Sequence, residues 1–190
     1  MLNLILFGPP GSGKGTQSLK IAEKYNLAHI STGDIFRSEI RNKTDLGLKV
    51  QSIIEKGELV PDDLLIEILE SALNKLQEKA GYIFDGFPRT HRQAEDLDML
   101  LKKRNDAVRL VIALEVDQDE VVKRLLNRAR LEGRKDDTEE VILNRMAVYH
   151  KQTAPLIDFY VKQGKFKSVP GVGSIDDIFD SITEAINERI

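Results

Sequence analysis

Residues 8–16 read Gly-Pro-Pro-Gly-Ser-Gly-Lys-Gly-Thr. Gly8, Gly11 and Gly13 let the backbone curl until successive N–H groups point at one centre, which is how a chain cradles a phosphate. Lys14 brings a mobile cation to the outer phosphates of a nucleotide. The helix expected to start near Lys14 adds the positive end of its dipole. Gly11, Ser12, Gly13, Lys14, Gly15 and Thr16 are therefore the candidate donors to a bound polyphosphate. The usual pattern sets Ser or Thr directly after the lysine as a magnesium ligand. Here Gly15 stands there, and Thr16 is the displaced candidate for that role. The competing reading is a glycine-rich turn without a ligand. It is opposed by the context: Leu2 to Phe7 before the loop reads as a buried strand, and Gln17 to Tyr25 after it reads as a helix.

A second set of reactive side chains follows. Thr32-Gly-Asp34 with Arg37, and Gly86-Phe-Pro-Arg-Thr90 with Gln93, each stand just past a short apolar run. The planar fork of an arginine suits a two-point grip on phosphate, so Arg37 and Arg89 point to a second phosphate held apart from the first: an acceptor. Arg124 and Arg128, four residues apart, share one helical face, and Arg134 and Arg145 follow. Most arginines are simply solvated. Phosphoryl transfer, however, spreads charge over the moving group and asks the protein mainly for position and matching charge, which several arginines supply. Asp85, at the end of a buried strand beside the loop, is the best carboxylate for magnesium, through water because that ion keeps part of its hydration shell. A phosphate acceptor is already anionic and needs no general base, so His29, His91 and His150, isolated in sequence, read as structural or solvated. Asn42-Lys-Thr-Asp45 matches a guanine-reading pattern, NKxD, but follows a polar helical stretch rather than a buried strand. Asn42 and Asp45 read as helix-end and cap residues.

Short apolar runs alternate with longer amphipathic stretches, the pattern of an α/β fold with a parallel sheet. Strands are expected at 2–7, 28–30, 82–85, 108–116 and 166–169. Helices are expected after the phosphate loop, from Ser31 or Thr32 to Arg41, at 46–55, from Asp62 or Asp63 to about Lys79, from Thr90 to about Lys103, at 119–130, at 139–163 with a kink at Pro155, and at 175–190. Residues 131–137 read as a polar loop. Ligands in such folds lie at the C-terminal ends of the strands, which puts the phosphate loop, 31–34, 85–89, Asp117 and 170–173 on one edge. The stretch 32–60 is long for a plain crossover and is expected to form a small helical insert above it.

The whole chain, 190 residues with 41% hydrophobic and 31% charged, is the size and composition of one domain with a real core. A net charge of −3 argues against nucleic acid as the main partner. There is no cysteine, hence no disulfide and no thiolate zinc site. No apolar run reaches the length of a membrane span, no signal segment precedes the first strand, and a cytoplasmic setting fits.

Taken together, GxPGxGKGT at 8–16, TGDxxR at 32–37, GxLVPD at 57–62, DGFPRT at 85–90, Gln93 and GRxDD at 133–137 resemble the adenylate kinases, within the nucleoside monophosphate kinases, along nearly the whole length. The resemblance implies a P-loop NTPase-type five-stranded parallel sheet flanked by helices, with core segments 1–31, 61–127 and 138–190, an NMP-binding insert at 32–60 and a short lid at 128–137. It implies reversible, Mg2+-dependent transfer of the γ-phosphoryl group of ATP to AMP, giving two ADP, in purine nucleotide homeostasis. Arg124, Arg128 and Gly173 fall on the ATP side. Thr32, Gly33, Arg37, Glu58, Leu59, Val60, Gly86, Phe87, Pro88, Arg89 and Gln93 fall on the AMP side. Lys14, Arg89, Arg124, Arg128, Arg134 and Arg145 are the catalytic set, with Arg134 and Arg145 also reaching the acceptor phosphate. Asp136 and Asp137 orient the arginines by ion pairs. The lid is too short for the zinc ligands that longer lids carry, and a monomer is expected. The nearest rival is a UMP/CMP kinase on the same fold, whose relatives resemble GFPRN with an acidic residue next, where this chain has GFPRTHRQ. A nucleotide-dependent switch or an inactive P-loop module belong to other classes.

Overall fold

The structure is a computed structural model that describes residues 1–75, 79–134 and 137–189. Its strands β1 (Leu2–Phe7), β2 (Ala28–Ser31), β3 (Gly81–Asp85), β4 (Leu110–Glu115) and β5 (Phe166–Pro170) form one parallel sheet in the order β2-β3-β1-β4-β5. Parallel neighbours need long crossovers, and helices supply them. α1 (Lys14–Tyr25) links β1 to β2. α2 (Thr32–Arg41), α3 (Asp45–Glu55) and α4 (Asp62–Lys75) lie between β2 and β3, and α5 (His91–Lys102) between β3 and β4. α6 (Gln118–Glu132), α7 (Glu139–Val148) and α8 (Leu156–Lys162) lead to β5, and α9 (Ile175–Asn187) follows it.

The strands bury both faces, as their near-continuous apolar runs require. On β1, Ile5 and Phe7 join a cluster with Leu69, Leu97, Leu101 and Tyr160, while Leu4 and Leu6 meet Ile21, Ile178, Ile182 and Ile186 on the other side. Each buried Leu or Ile contributes about 1.5–3 kcal/mol on leaving water. Asn3, the polar residue of β1, is fully buried because both ends of its amide are used: Nδ2 donates to the Ala107 carbonyl at 3.0 Å and Oδ1 accepts from Tyr82 N–H at 3.2 Å. A third cluster, Val121, Leu125, Ile142 and Met146, fastens α6 to α7.

The expected boundaries shift in several places. α6 runs on through Leu131 and Glu132, residues expected in a loop, and stops at Gly133 in the left-handed region at φ 64°. The expected helix over 139–163 is two helices joined by a π-turn at Tyr149–Thr153, with Ala154 N–H donating to the Tyr149 carbonyl five residues back. Pro155 lacks an N–H and its ring crowds the preceding turn, so the helix widens there and restarts. β4 begins at Leu110: Val108 is buried, but ahead of the ladder. Asn42 ends α2 as read, whereas the cap of α3 is Thr44, whose Oγ1 accepts from Gly47 N–H at 3.0 Å, and Asp45 is the first helical residue.

Gly47 is where α2 and α3 press together. A Cβ there would stand 2.2 Å from the Glu39 carbonyl oxygen and 2.7 Å from Ile40 N, backbone atoms that cannot step aside. Gly47→Ala is expected to cost about 1–3 kcal/mol through overpacking, lowering Tm by about 2–10 °C for a chain of this size. Thermal melting checks it, and an unchanged Tm would show that the two helices are not in this contact.

Candidate active site

The phosphate loop leaves the C-terminal end of β1, the central strand, at the point where the chain turns to β3 on one side and β4 on the other. Open α/β sheets keep their ligands at this position. Gly8, Gly11 and Gly13 hold φ of 147°, 81° and 95°, which is what curls the loop. Gly11 is also wedged against α6: a Cβ would lie 2.7 Å from Leu125 Cγ and 3.1 Å from the Val121 carbonyl oxygen. α1 starts at Lys14 with Gly13 as its cap, so no side chain accepts from its first-turn N–H groups, which face the cleft as an anion site. Lys14 Nζ folds back onto the loop, donating to the Gly8 carbonyl at 2.7 Å and the Pro9 carbonyl at 2.8 Å. Desolvation pulls this ammonium down to about 7. Asp85 opposes the shift, and the nearby guanidinium groups of Arg89, Arg145 and Arg128 add to it.

One strand over, β3 delivers Asp85 in register with Leu6. Beyond it Gly86 turns at φ 75°, where a Cβ would lie 2.9 Å from Arg89 Nη2 and 3.1 Å from Thr32 Oγ1. Arg89 is held at three points. Its N–H donates to Gln93 Oε1 at 2.7 Å, its carbonyl accepts from Thr153 Oγ1 at 3.0 Å, and its Nε donates to the Gly86 carbonyl at 2.7 Å. Burial, with Arg37 nearby, pushes its guanidinium below the usual arginine value, yet it stays a cation. Thr32 Oγ1 donates to the Gly86 carbonyl at 3.0 Å. Arg37 pairs with Asp34, and Gly33 leaves room for it, since a Cβ there would stand 2.9 Å from Arg37 Nη1.

The remaining arginines come from α6 and α7. Arg124 is braced by Glu120 at 2.7 Å and donates to the Gly171 carbonyl at 3.0 Å. Asp137, 1% exposed, gathers three arginines. Arg128 grips it at both oxygens, at 2.6 and 2.8 Å, Arg145 Nη1 donates to it at 2.9 Å, and Arg134 Nε lies 3.9 Å away. Asp137 thus sits where an arginine-orienting carboxylate is expected; Asp136 lies outside the described residues.

Among the described residues one cleft of about 460 Å³ is lined by seven basic side chains (Lys14, Arg37, Arg89, Arg124, Arg128, Arg134, Arg145) against four acidic ones (Asp34, Glu58, Asp85, Glu132). Gly11, Gly13, Gly15, Thr16, Thr32, Gly33, Glu58, Leu59, Val60, Gly86, Phe87, Pro88 and Gln93 share its wall. Ser12 is buried beneath the loop, and Gly173 stands outside the cleft, exposed, ahead of α9. Asp117 caps α6 and lines a separate hollow. Sequence reasoning missed Thr153 and Tyr149, which reach the wall through the π-turn, and Asp62, which receives Gln93 Nε2 at 2.6 Å. His29 is not isolated: its Nε2, buried and without a hydrogen-bond partner, lies 3.7 Å from Asp85 Oδ2. Only Asp62 left a signal in the sequence, as the acidic start of α4 two residues after Val60, at the end of the motif at 57–62.

Fold and site together define a P-loop α/β nucleotide-binding kinase, with arginines converging on the phosphate loop from both sides. The sequence profile described as adenylate kinase matches residues 6–165. An adenylate kinase of Bacteroides thetaiotaomicron is 49% identical over 99% of this chain and 100% of its own length. One from Flavobacterium psychrophilum is 48% identical (98% and 99%) and one from Maricaulis maris 47% (99% and 100%). The chain belongs to the adenylate kinase family, the ATP:AMP phosphotransferases.

Lys14 yields a pH prediction. Its value in the folded chain, about 7, lies below the ordinary 10.5, so between those limits the folded chain binds fewer protons than the unfolded one, and this group's contribution to stability rises with pH there. A phosphate beside the ammonium restores its affinity for the proton. ATP binding at pH 8 is therefore expected to take up a proton and to weaken as pH rises from 7 to 9. Titration calorimetry in buffers of different ionisation enthalpy checks this. Heats independent of the buffer, or the same uptake in Lys14→Met, would show that Lys14 does not face the phosphate.

Proposed function

We propose that the cleft is two sites facing across one gap, with ATP on the phosphate loop, Arg124 and Arg128, and AMP under Thr32, Arg37, Glu58, Leu59, Val60, residues 86–89 and Gln93. The observation that carries this reading is a single cleft lined by Lys14 of the phosphate loop together with Arg37, Arg89, Arg124, Arg128, Arg134 and Arg145. An oxygen of the AMP phosphate attacks the γ-phosphorus, the bond from that phosphorus to the β–γ bridging oxygen breaks, and two ADP result. The attacking oxygen is anionic, so no side chain has to remove a proton. Lys14, Arg89, Arg124, Arg128, Arg134 and Arg145 match the charge as it spreads over the moving group.

Adenylate kinases use MgATP, and the residues here fit the ion. Among the described residues the Asp85 carboxylate receives no hydrogen bond, and the space beside it is kept open by Gly15, where a Cβ would come 3.6 Å from Oδ2. Asp85 would hold Mg2+ through water, with Thr16 as a second oxygen donor, and the ion when bound neutralises charge on the β- and γ-phosphates. The chain has no cysteine, and no cluster of His, Asp and Glu suited to a metal occurs among the described residues. Residues 32–60 are read as the acceptor-binding insert and 128–137 as a short lid on a core of 1–31, 61–127 and 138–190. Among the described residues no helix is long and apolar enough to cross a membrane. A cytoplasmic monomer that handles ATP, AMP and ADP without nucleic acid completes the reading, with its net charge of −3 in support.

A coupled assay across AMP, GMP, CMP and UMP tests the reaction, with AMP expected to be preferred by at least about tenfold in kcat/KM, the cost of leaving a buried hydrogen-bonding group unpaired. Comparable turnover of CMP would favour a pyrimidine kinase instead. Arg89→Ala is expected to raise KM for AMP by at least about tenfold, the scale of one charged hydrogen bond, with a smaller change for ATP. An equal or larger loss on the ATP side would overturn the division into two sites.

A further inference from the structure

We propose that Asp62 decides which purine the acceptor site takes, by fixing the direction of the Gln93 side-chain amide. The proposal rests on the reading that Gln93 faces the acceptor base. Gln93 is 1% exposed and lines the cleft, whereas Asp62 does not line it. Gln93 Nε2 donates to Asp62 Oδ1 at 2.6 Å, and Gln93 Oε1 accepts from Arg89 N–H at 2.7 Å. Thr90 Oγ1 holds the carboxylate from the side, at 3.4 and 3.5 Å from its oxygens, and also accepts from Gln93 N–H at 3.2 Å.

Neither partner of the amide can change sign. A backbone N–H only donates and an ionised carboxylate only accepts. Turning the amide over would set its NH2 against the Arg89 N–H and its oxygen against Asp62, leaving both ends unsatisfied in a buried position. In the fixed direction one N–H of Nε2 and one lone pair of Oε1 remain to face the cleft. Adenine offers the complementary pair along its pairing edge, a ring nitrogen that accepts and an amino group that donates. A 6-oxopurine offers the inverse, a ring N–H and a carbonyl oxygen. A glutamine free to turn would serve both bases, but a glutamine fastened at both ends serves adenine alone. Asp62 is therefore a positioning residue that sets specificity through Gln93 without touching the substrate.

The experiment compares AMP with IMP, which differ at this edge, as acceptors or, where IMP turns over too slowly, with IMP as a competitive inhibitor against AMP. Asp62→Ala is expected to reduce the AMP-to-IMP ratio of kcat/KM, or of binding constants, by about tenfold or more, with KM for ATP unchanged within about twofold. Asp62→Asn, whose carbonyl oxygen can still accept from Nε2, is expected to keep most of the discrimination. If Asp62→Ala does not fold, Asp62→Leu fills the space without an acceptor, and the same ratio is read there. A role confined to tying α4 to α5 would lower AMP and IMP together, and an unchanged ratio in a folded variant would overturn the proposal. Gln93→Met separates the two levels. If it abolishes the ratio while Asp62→Ala leaves it intact, the orientation argument fails and the base contact stands. If Gln93→Met leaves the ratio intact, Gln93 does not read the base and both fall.

Discussion

Among the described residues seven basic side chains line the cleft against four acidic ones, on a chain whose net charge is negative, and they must be held there against one another. Two unit charges 4 Å apart interact by about 4 kcal/mol at the effective dielectric of a protein surface, comparable with much of a domain's net stability. The sequence answers with a few placed acceptors in place of general neutralisation, one of them, Asp137, fully buried. Asp137 takes Arg128 and Arg145 directly and lies beside Arg134. Asp34 pairs with Arg37, and Lys14 turns back onto the carbonyls of its own loop. Lys14 and Arg37 also line the cleft, and in the proposed reading a bound polyphosphate adds to the charge partners these cations already have.

Such an arrangement tolerates little slack, which explains why rigid elements carry it. Asp137 comes just before α7, and Arg128 stands in the last turns of α6, so the apolar seam of Val121, Leu125, Ile142 and Met146 sets the distance between charge and counter-charge. Removing a buried partner of this kind commonly costs 3–5 kcal/mol, because the charge left behind remains buried. Across the cleft, the loop after β3 is fixed by backbone acceptance and donation at Arg89, with Thr153 supplied by the π-turn that Pro155 imposes. A feature that looks like a helix defect is thus how the chain brings a hydroxyl to the Arg89 carbonyl.

The parts of this site that were legible in the sequence are those whose chemistry depends on residue type at short range. The curl of 8–16, the convergence of Arg37 and Arg89, and the five strands followed from glycine spacing, arginine geometry and apolar runs. What could not be read depends on contacts across long separations. Gly47 looks like an ordinary helical glycine until α2 lies against it. Asp62 looks like a helix-start acid until α5 brings Gln93 within 2.6 Å. The reach of α6 to Glu132 went unseen because a polar stretch with a glycine reads as loop, whereas Leu131 and Glu132, both exposed, continue the helix until Gly133 ends it at φ 64°. The runner-up, a UMP/CMP kinase on the same fold, is set apart in the sequence by GFPRTHRQ in place of GFPRN with an acidic residue next, and it gives way to the match with adenylate kinases over almost the full chain.

The insert and the arginines are also joined mechanically. Asn144 Nδ2 donates to the Lys56 carbonyl at the end of α3, and Gly57, at φ 74°, passes so close to α7 that a Cβ would lie 2.7 Å from Arg145 Cγ. The segment that carries Glu58, Leu59 and Val60 therefore touches the helix that carries Arg145. In the proposed reaction, water competes with the AMP phosphate for the same phosphorus, and the site can favour AMP only by excluding water while the acceptor is in place. On that proposal, the contact between the segment at 57–60 and α7 with Arg145 ties these two requirements together. If, as proposed, this insert binds the acceptor, then the insert seated on its acceptor is also the one that supports Arg145, and the charge for transfer is assembled most completely when the correct acceptor fills the gap.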